Sequence, residues 1–364
     1  MKIAILGTRG IPNTYGGFEQ CAEKISLNFV KKGHEVCVYN TPEHPYKEAE
    51  WNGIQICLPD STQKLIPLPS TFHYDFVTLK DAVAKDFDII LELGYAPCSL
   101  FFFLKNRGKA KIITNMAGME WKRSKWKFLA RNIIRYCEKL AVKNSDALIS
   151  DNPGIQQYFL DNYSKDSYYI PYGAENVENP DISRLNEFNL TENNYFVLLA
   201  RFQKDNNIEV ILDGYHSSGS HLPFLVIGSH HNKYGEYLKS KYNNNKNIRF
   251  VGGIYEYNLV STLRWFSRLY FHGHSCGGTN PSLLEAMVSN SYIVSHDNIF
   301  NRSVLEENAF YFKNSNDVTN IINNYRPDHR TLFCSNNKNK VISEFNWDLV
   351  ADSYLKAFTQ VLGK

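Results

Sequence analysis

Phe271-His272-Gly273-His274-Ser275-Cys276-Gly277-Gly278-Thr279-Asn280-Pro281-Ser282-Leu283-Leu284-Glu285-Ala286-Met287 is the stretch on which the reading of this chain turns. Two glycines and Thr279-Asn280-Pro281 run without a break into a segment of helical character. A glycine-rich turn that opens a helix presents free backbone N–H groups and the positive end of the helix dipole, so it suits an anion such as a phosphate. Glu285 lies one turn inside, where a carboxylate can accept hydrogen bonds from a ligand hydroxyl. A plain loop before a core helix with a solvated glutamate would use the same residues, so the surrounding chain has to decide.

Outward from this stretch the sequence alternates between strands and helices. Strands are expected at 195–200, 222–228, 248–251, 269–272 and 292–295, with helices from 207, at 234–241 and at 257–265. The first half alternates in the same way. A strand at 2–6 leads into Gly7-Thr8-Arg9-Gly10-Ile11-Pro12-Asn13-Thr14-Tyr15-Gly16-Gly17-Phe18-Glu19, then an amphipathic helix through Ala22, Ile25, Leu27, Phe29 and Val30 that stops at Gly33, then a strand at 35–39. Further strand-like runs lie at 53–58, 88–93, 111–115 and 147–150. Such alternation builds doubly wound parallel sheets. The first loop lacks G-x-G-x-x-G, and the second strand ends in Asn40 where a dinucleotide enzyme carries an acid, which argues against a dehydrogenase. Its Gly16-Gly17 pair suits a turn that closes over a phosphate or sugar.

A chain of 364 residues accommodates two domains, and the polar segment 176–194 reads as the link between them. Composition is that of a globular protein, 43% hydrophobic and 21% charged with a mean hydropathy of −0.38. The net charge of +3 is too small to imply nucleic acid, but positions 105–143 hold twelve Lys or Arg against Glu120 and Glu138. Within that run Trp121, Lys122, Arg123, Lys125, Trp126 and Lys127 interleave aromatics with cations on an expected helix continuing to 143. The pattern fits a membrane surface, an anionic partner such as RNA, or a solvated amphipathic helix. Seven widely spaced cysteines suggest neither a disulfide framework nor a zinc site and fit a reducing cytosol. The apolar run at the start ends after six residues and reads as a strand, not a leader; no run reaches the roughly 18 residues of a membrane span.

Six motifs in order carry a resemblance over nearly the whole chain: Gly7-Thr8-Arg9-Gly10-Ile11-Pro12 with Tyr15-Gly16-Gly17-Phe18-Glu19, Gly118-Met119-Glu120-Trp121-Lys122-Arg123, Ile170-Pro171-Tyr172-Gly173-Ala174-Glu175, Ala200-Arg201-Phe202, Phe250-Val251-Gly252, and Gly277 to Met287. The chain resembles retaining glycosyltransferases of the GT-B fold, family-4 type, in the bacterial surface-polysaccharide branch that includes rhamnosyltransferases. The resemblance implies an α/β fold of two doubly wound Rossmann-like domains facing a central cleft. It implies an acceptor-binding domain at 1–178, a nucleotide-sugar domain at 179–345, and a final helix at 346–364 packing back toward the first domain. It assigns the nucleotide ribose to Glu285, the phosphates to Gly278, Thr279 and Asn280, the diphosphate to Arg201, and the base to the main chain around Gly253 and Ile254. Gly16 and Gly17 would approach the phosphates. Two positions depart from the pattern: Gly277 stands where a glutamate commonly contacts the donor sugar, and Asn206 where a lysine is usual, with Lys204 nearby as a substitute. The missing carboxylate suits a 6-deoxyhexose, and restoring an acid at Gly277 is expected to shift preference toward hexoses.

Arg201, Lys204 and the helix start would stabilise the departing diphosphate, and with no Asp-x-Asp pair in a suitable strand-end context no divalent metal or other cofactor is expected, as the resemblance also implies. Glu120 and Asp151, acids at expected strand ends, are candidates to orient or deprotonate the acceptor hydroxyl, or to cap helices. His274 lies close enough to the phosphates to join them. The implied reaction moves a sugar, L-rhamnose from dTDP-rhamnose foremost, to a lipid-linked saccharide in capsule, O-antigen or cell-wall synthesis. It would take place at the inner leaflet of the cytoplasmic membrane, with no nucleic-acid partner. A catalytically weak sugar-nucleotide-binding protein, a hexosyltransferase using a UDP- or GDP-sugar, and a GT-B epimerase are the alternatives.

Overall fold

A computed structural model describes residues 1–14, 16–58 and 70–363, apart from the side chains of 105–107; Tyr15 of the first loop lies outside the described residues. The chain divides into two compact units. Met1–Lys122, Trp126–Gly173 and Trp347–Lys364 form the first; Arg123–Lys125 and Ala174–Asn346 form the second.

The first unit runs β1 (Lys2–Leu6), α1 (Gly17–Lys31), β2 (Glu35–Tyr39), β3 (Glu50–Trp51), β4 (Ile54–Cys57), α2 (Ser70–Ala84), β5 (Ile89–Leu93), β6 (Lys111–Asn115), α3 (Phe128–Asn144), β7 (Ala147–Ser150), α4 (Pro153–Tyr163) and β8 (Tyr168–Tyr169). Among the described residues its sheet has the order β3-β4-β2-β1-β5-β6-β7-β8. β1 pairs in parallel with both β2 and β5, so the chain reverses its direction of travel there and opens a switch point at the strands' C-terminal ends. Ile3, Ala4, Ile5, Ile89, Ile90 and Leu91 are buried on both faces, as helix-covered parallel strands require. Cys37 of β2 and Cys57 of β4 face each other on adjacent strands with Cα atoms 6.4 Å apart; Cys21, Cys98, Cys137, Cys276 and Cys334 have no such neighbour among the described residues.

The second unit runs β9 (Phe196–Leu199), α5 (Ile208–Ser217), β10 (Phe224–Ile227), α6 (Lys233–Lys241), β11 (Ile248–Gly252), α7 (Tyr257–Trp265), β12 (Leu269–His272), α8 (Pro281–Val288), β13 (Ile293–His296), α9 (Ile299–Leu305), β14 (Phe310–Phe312), α10 (Ser315–Asn323) and α11 (Arg330–Glu344). The strands lie in the order β11-β10-β9-β12-β13-β14 with every pairing parallel. Phe196, Phe224 and Phe271 meet in its core within 6.0 Å, centroid to centroid. The expected link holds a 3-10 helix, Ile182–Phe188, capped by Asp181 and packed within this unit. After α11 the chain returns to the first unit as α12 (Trp347–Val361).

The helix expected from Glu120 to Lys143 is not continuous. Glu120–Lys122 makes a single 3-10 turn, Lys127 caps α3 with extended backbone, and Arg123–Lys125 belongs to the second unit. Side-chain hydrogen bonds impose the break: the Trp126 indole donates to Glu120 Oε1 at 3.2 Å and the Trp121 indole to Glu138 Oε2 at 3.0 Å. Among the described residues, no helix is long and apolar enough to cross a membrane.

Candidate functional site

In the second unit the chain steps outward from β9 to β11 and then back to β12, which places a switch point between β9 and β12. Arg201, just after β9, and the loop from Gly273 to Asn280, just after β12, flank it at the strands' C-terminal ends, where doubly wound sheets bind their ligands. The loop is fixed to the turn that follows Arg201. Ser275 donates its N–H and its hydroxyl to the Asp205 carbonyl at 3.0 and 2.8 Å, and Asn207 Nδ2 donates to the Gly273 carbonyl at 2.8 Å. The approach is so close that a Cβ on Gly273 would stand 2.1 Å from the Asn206 carbonyl oxygen. Asn206, where a lysine is usual, is buried and donates from Nδ2 to the Arg201 carbonyl at 2.7 Å. It shapes the turn, while Arg201 and Lys204 are exposed.

Gly277 has φ +112°, a conformation that side chains rarely adopt, so a carboxylate-bearing residue would be strained there. A Cβ there would lie 3.8 Å from Arg123 Nη2, which puts Arg123 beside the loop within this unit and away from the aromatic run in which its sequence position had placed it. His274 is pushed down to about 3 by burial and by the charges of Arg201 and Arg123. It stacks at 4.4 Å on His272, whose two ring nitrogens are buried without hydrogen-bond partners and whose pKa burial also drives far down. Both imidazoles are therefore neutral at physiological pH and serve as dipoles, not cations.

The loop passes into α8 through Asn280, whose side chain accepts the Ser282 N–H at 3.0 Å, and Pro281 follows at the first helical position. Asn280 is thus spent as a helix cap, while Gly278 stays half-buried and Thr279 is buried. Glu285, one turn into α8, retains a side chain 20% exposed and pairs with Arg264 of α7, Nη1 to Oε2 at 2.9 Å. Arg264 is wholly buried; its other terminal nitrogen donates to Ser282 Oγ at 2.9 Å, and its guanidinium lies over Tyr270 at 5.4 Å. Sequence reading missed Arg264. A lone arginine in an otherwise uncharged helix was the available signal. Gly253 and Ile254 follow β11, the edge strand, at the C-terminal side of the same sheet, exposed and half-buried respectively.

In the first unit the loop after β1 is braced from two sides. Glu19 Oε1 accepts the Arg9 N–H at 2.9 Å, and buried Asn40 exchanges two hydrogen bonds with the Ile11 backbone at 2.9 and 2.8 Å. Asn40, noted for failing the dinucleotide pattern, holds this loop. Gly16 and Gly17 open α1, with the Gly16 carbonyl accepting the Gln20 N–H. Glu120 is half-buried against the Trp126 indole. Asp151 is buried at the C-terminal end of β7, close enough to Cys21, Tyr172 and Tyr354 to push all three upward in pKa alongside their burial. The cap of α4 is Asn152, not Asp151. Trp121 lies between Lys122 and Arg135, 5.4 and 5.2 Å from its ring. Lys122 and Lys127 are exposed in this unit; Lys125 is exposed in the other.

Residues 182–325 match the family model described as glycosyl transferases group 1, and residues 1–175 match a domain of unknown function, DUF1972. An uncharacterized glycosyltransferase of Methanocaldococcus jannaschii is 22% identical over the whole chain and 99% of that protein. Sucrose-phosphate synthase of Thermosynechococcus elongatus superimposes with a TM-score of 0.81 at 16% identity, covering 100% of this chain and 99% of that one. The Anabaena protein HepE, solved with UDP and glucose, gives 0.79 at 15% identity over 99% and 100%. Two parallel-sheet Rossmann-like units in this arrangement of strands are the GT-B fold. The match makes the second unit similar to glycosyl transferases group 1, and the structural likeness shows the fold they share.

Proposed function

We propose that the protein transfers a sugar, L-rhamnose from dTDP-rhamnose foremost, from a nucleotide donor to a lipid-linked saccharide, with retention of configuration and without a metal. The observation that carries the donor half is the second unit's switch point. There the exposed Arg201 follows β9, and the glycine loop after the neighbouring β12 leads to a Glu285 held by a buried arginine. In this reading Glu285 accepts from the ribose hydroxyls, the backbone at Gly278 and Thr279 meets the phosphates, and Gly253 and Ile254 hold the base. Arg201, with Lys204, takes up the charge that grows on the diphosphate, which leaves no task for a divalent cation. The complex of HepE with UDP and glucose supports a sugar-nucleotide donor for this fold. Acceptor binding belongs to the first unit, with Glu120 or Asp151 handling the acceptor hydroxyl, at the inner leaflet of the cytoplasmic membrane.

Incubation with a panel of nucleotide sugars and short lipid-pyrophosphate acceptors, followed by mass spectrometry, tests this. A glycosylated lipid is expected, formed equally well in EDTA; release of free sugar alone, or no reaction with any donor, would count against transfer. Arg201→Ala is expected to lower kcat/KM by about 100-fold or more. Gly277 in place of a carboxylate favours one second reading, a sugar-nucleotide binder with little turnover. Donor binding by calorimetry without product would select it.

A further inference from the structure

We propose that Tyr255 is a stacking platform for the base of the nucleotide donor, a side chain that favours nucleotide-linked sugars over sugars carried on other phosphates. At 88% accessible it is the most exposed of the large hydrophobic and aromatic residues among those described. The backbone that carries it is tied down on both sides. Before it, the Gly252 carbonyl accepts the Gly228 N–H at 2.8 Å; after it, Glu256 pairs with Arg184 through both carboxylate oxygens, at 2.7 and 3.1 Å. The ring itself turns back toward the end of β11. A Cβ built on Gly253 would stand 2.8 Å from the Tyr255 hydroxyl and 2.9 Å from two ring carbons, so a glycine at 253 is what lets the hydroxyl end of the ring rest there.

An exposed, uncharged aromatic ring offers little to a phosphate and much to another flat ring, because stacking needs only two π-faces. Its place in the sheet selects the partner. β11 lies two strands from β9, about 10 Å at ordinary strand spacing, on the C-terminal side that also carries Arg201 and the glycine loop. A nucleoside spans a comparable gap between its phosphate and its base. α7 begins directly after Glu256 and carries Arg264, the partner of Glu285, so the ring and the carboxylate given to the ribose are tied to one helix. The inference rests on the donor reading above and adds the surface on which the base lies: the main chain at Gly253 and Ile254 meets the edge of the base, Tyr255 its face. Stacking tolerates every base, so Tyr255 rewards a nucleotide without choosing among thymine, uracil and guanine.

The test is calorimetric titration of the full chain with dTDP, UDP and GDP, and separately with inorganic pyrophosphate. Tyr255→Ala is expected to weaken nucleoside diphosphate binding by about tenfold and to leave pyrophosphate binding unchanged, while Tyr255→Phe binds like the wild type. Gly253→Ala, which displaces the ring, should weaken nucleotide binding too and add little to Tyr255→Ala when the two are combined. In proton spectra of bound dTDP, the thymine H6 and methyl signals should move upfield with the wild type and not with Tyr255→Ala, a signature that a merely structural tyrosine would not produce. Unchanged nucleotide affinity in Tyr255→Ala, or an equal loss for pyrophosphate, would overturn the proposal and leave the donor reading in place. Absence of nucleoside diphosphate binding to the wild type would overturn both.

Discussion

Gly277 and Arg264 show what single residues decide. Any side chain at 277 has to be accommodated at φ +112°, so Gly277→Glu is expected to cost about 1–2 kcal/mol in stability and to lower transfer with every donor. A clean shift toward hexoses in donor competition, with an unchanged melting temperature, would contradict this. Arg264→Met removes the buried partner of Glu285 and should destabilise by about 3 kcal/mol. It should also raise the donor KM, as Glu285→Gln does, whereas a merely structural arginine would leave KM unmoved in the folded fraction. Glu285 was legible because a helix opened by glycines announces what lies one turn inside it. Arg264 was not, since its pairing depends on α7 crossing α8, a contact between segments 21 residues apart. Asn206 was visible as a departure, but its hydrogen bond to Arg201 is a property of the folded turn.

At the scale of elements, periodicity located the longer strands of both sheets and the helices α1 and α5 to α8, while α2, α4 and α9 to α11 were not anticipated. It failed at Glu120 to Lys127, where two indole hydrogen bonds to Glu120 and Glu138 outweigh helix propensity. The β12–α8 loop depends on equally non-local contact, and Gly273→Ala, forced against the Asn206 carbonyl, should displace it. A drop in donor affinity of about tenfold or more, with far-ultraviolet circular dichroism unchanged, is the expected result. α2 carries a pH dependence. Burial pushes Asp75 up to about 7, and burial together with Asp75 drives Glu92 of β5 well upward. Raised carboxyl pKa values mean that the folded chain holds protons which the unfolded chain releases. The contribution is fully present below about pH 4 and fades as pH rises through 7. Between pH 6 and pH 8 the wild type should lose about 1–3 kcal/mol more than Asp75→Asn, measured by urea unfolding at each pH.

Across the whole molecule, the repeated alternation of strand and helix made two Rossmann-like units readable, because each βαβ step is written in adjacent residues. The proximity of Cys37 and Cys57 was not readable, since 20 residues of sequence give no hint that β2 and β4 are neighbours. α12 closes the first unit from far along the chain. Tyr354 and Phe358 pack edge-on against Phe29 at 6.5 and 5.8 Å, Tyr354 accepts from Asn115 at 2.9 Å, and Asp352 pairs with Lys32 at 2.8 Å. Deleting residues 347–364 is therefore expected to cost the first unit about 5 kcal/mol or more, seen as selective proteolysis within residues 1–173.

The same return of α12 sets an order on biogenesis. A nascent chain that has been translated through Asn346 contains every residue of the second unit, yet the hydrophobic wall behind Phe29 still lacks its cover. The half made first is thus the half completed last. Until α12 is synthesised, the exposed flank of α1 is a place for chaperones to hold or for neighbouring nascent chains to adhere, so a ribosome paused just beyond the second unit leaves the chain at its most aggregation-prone.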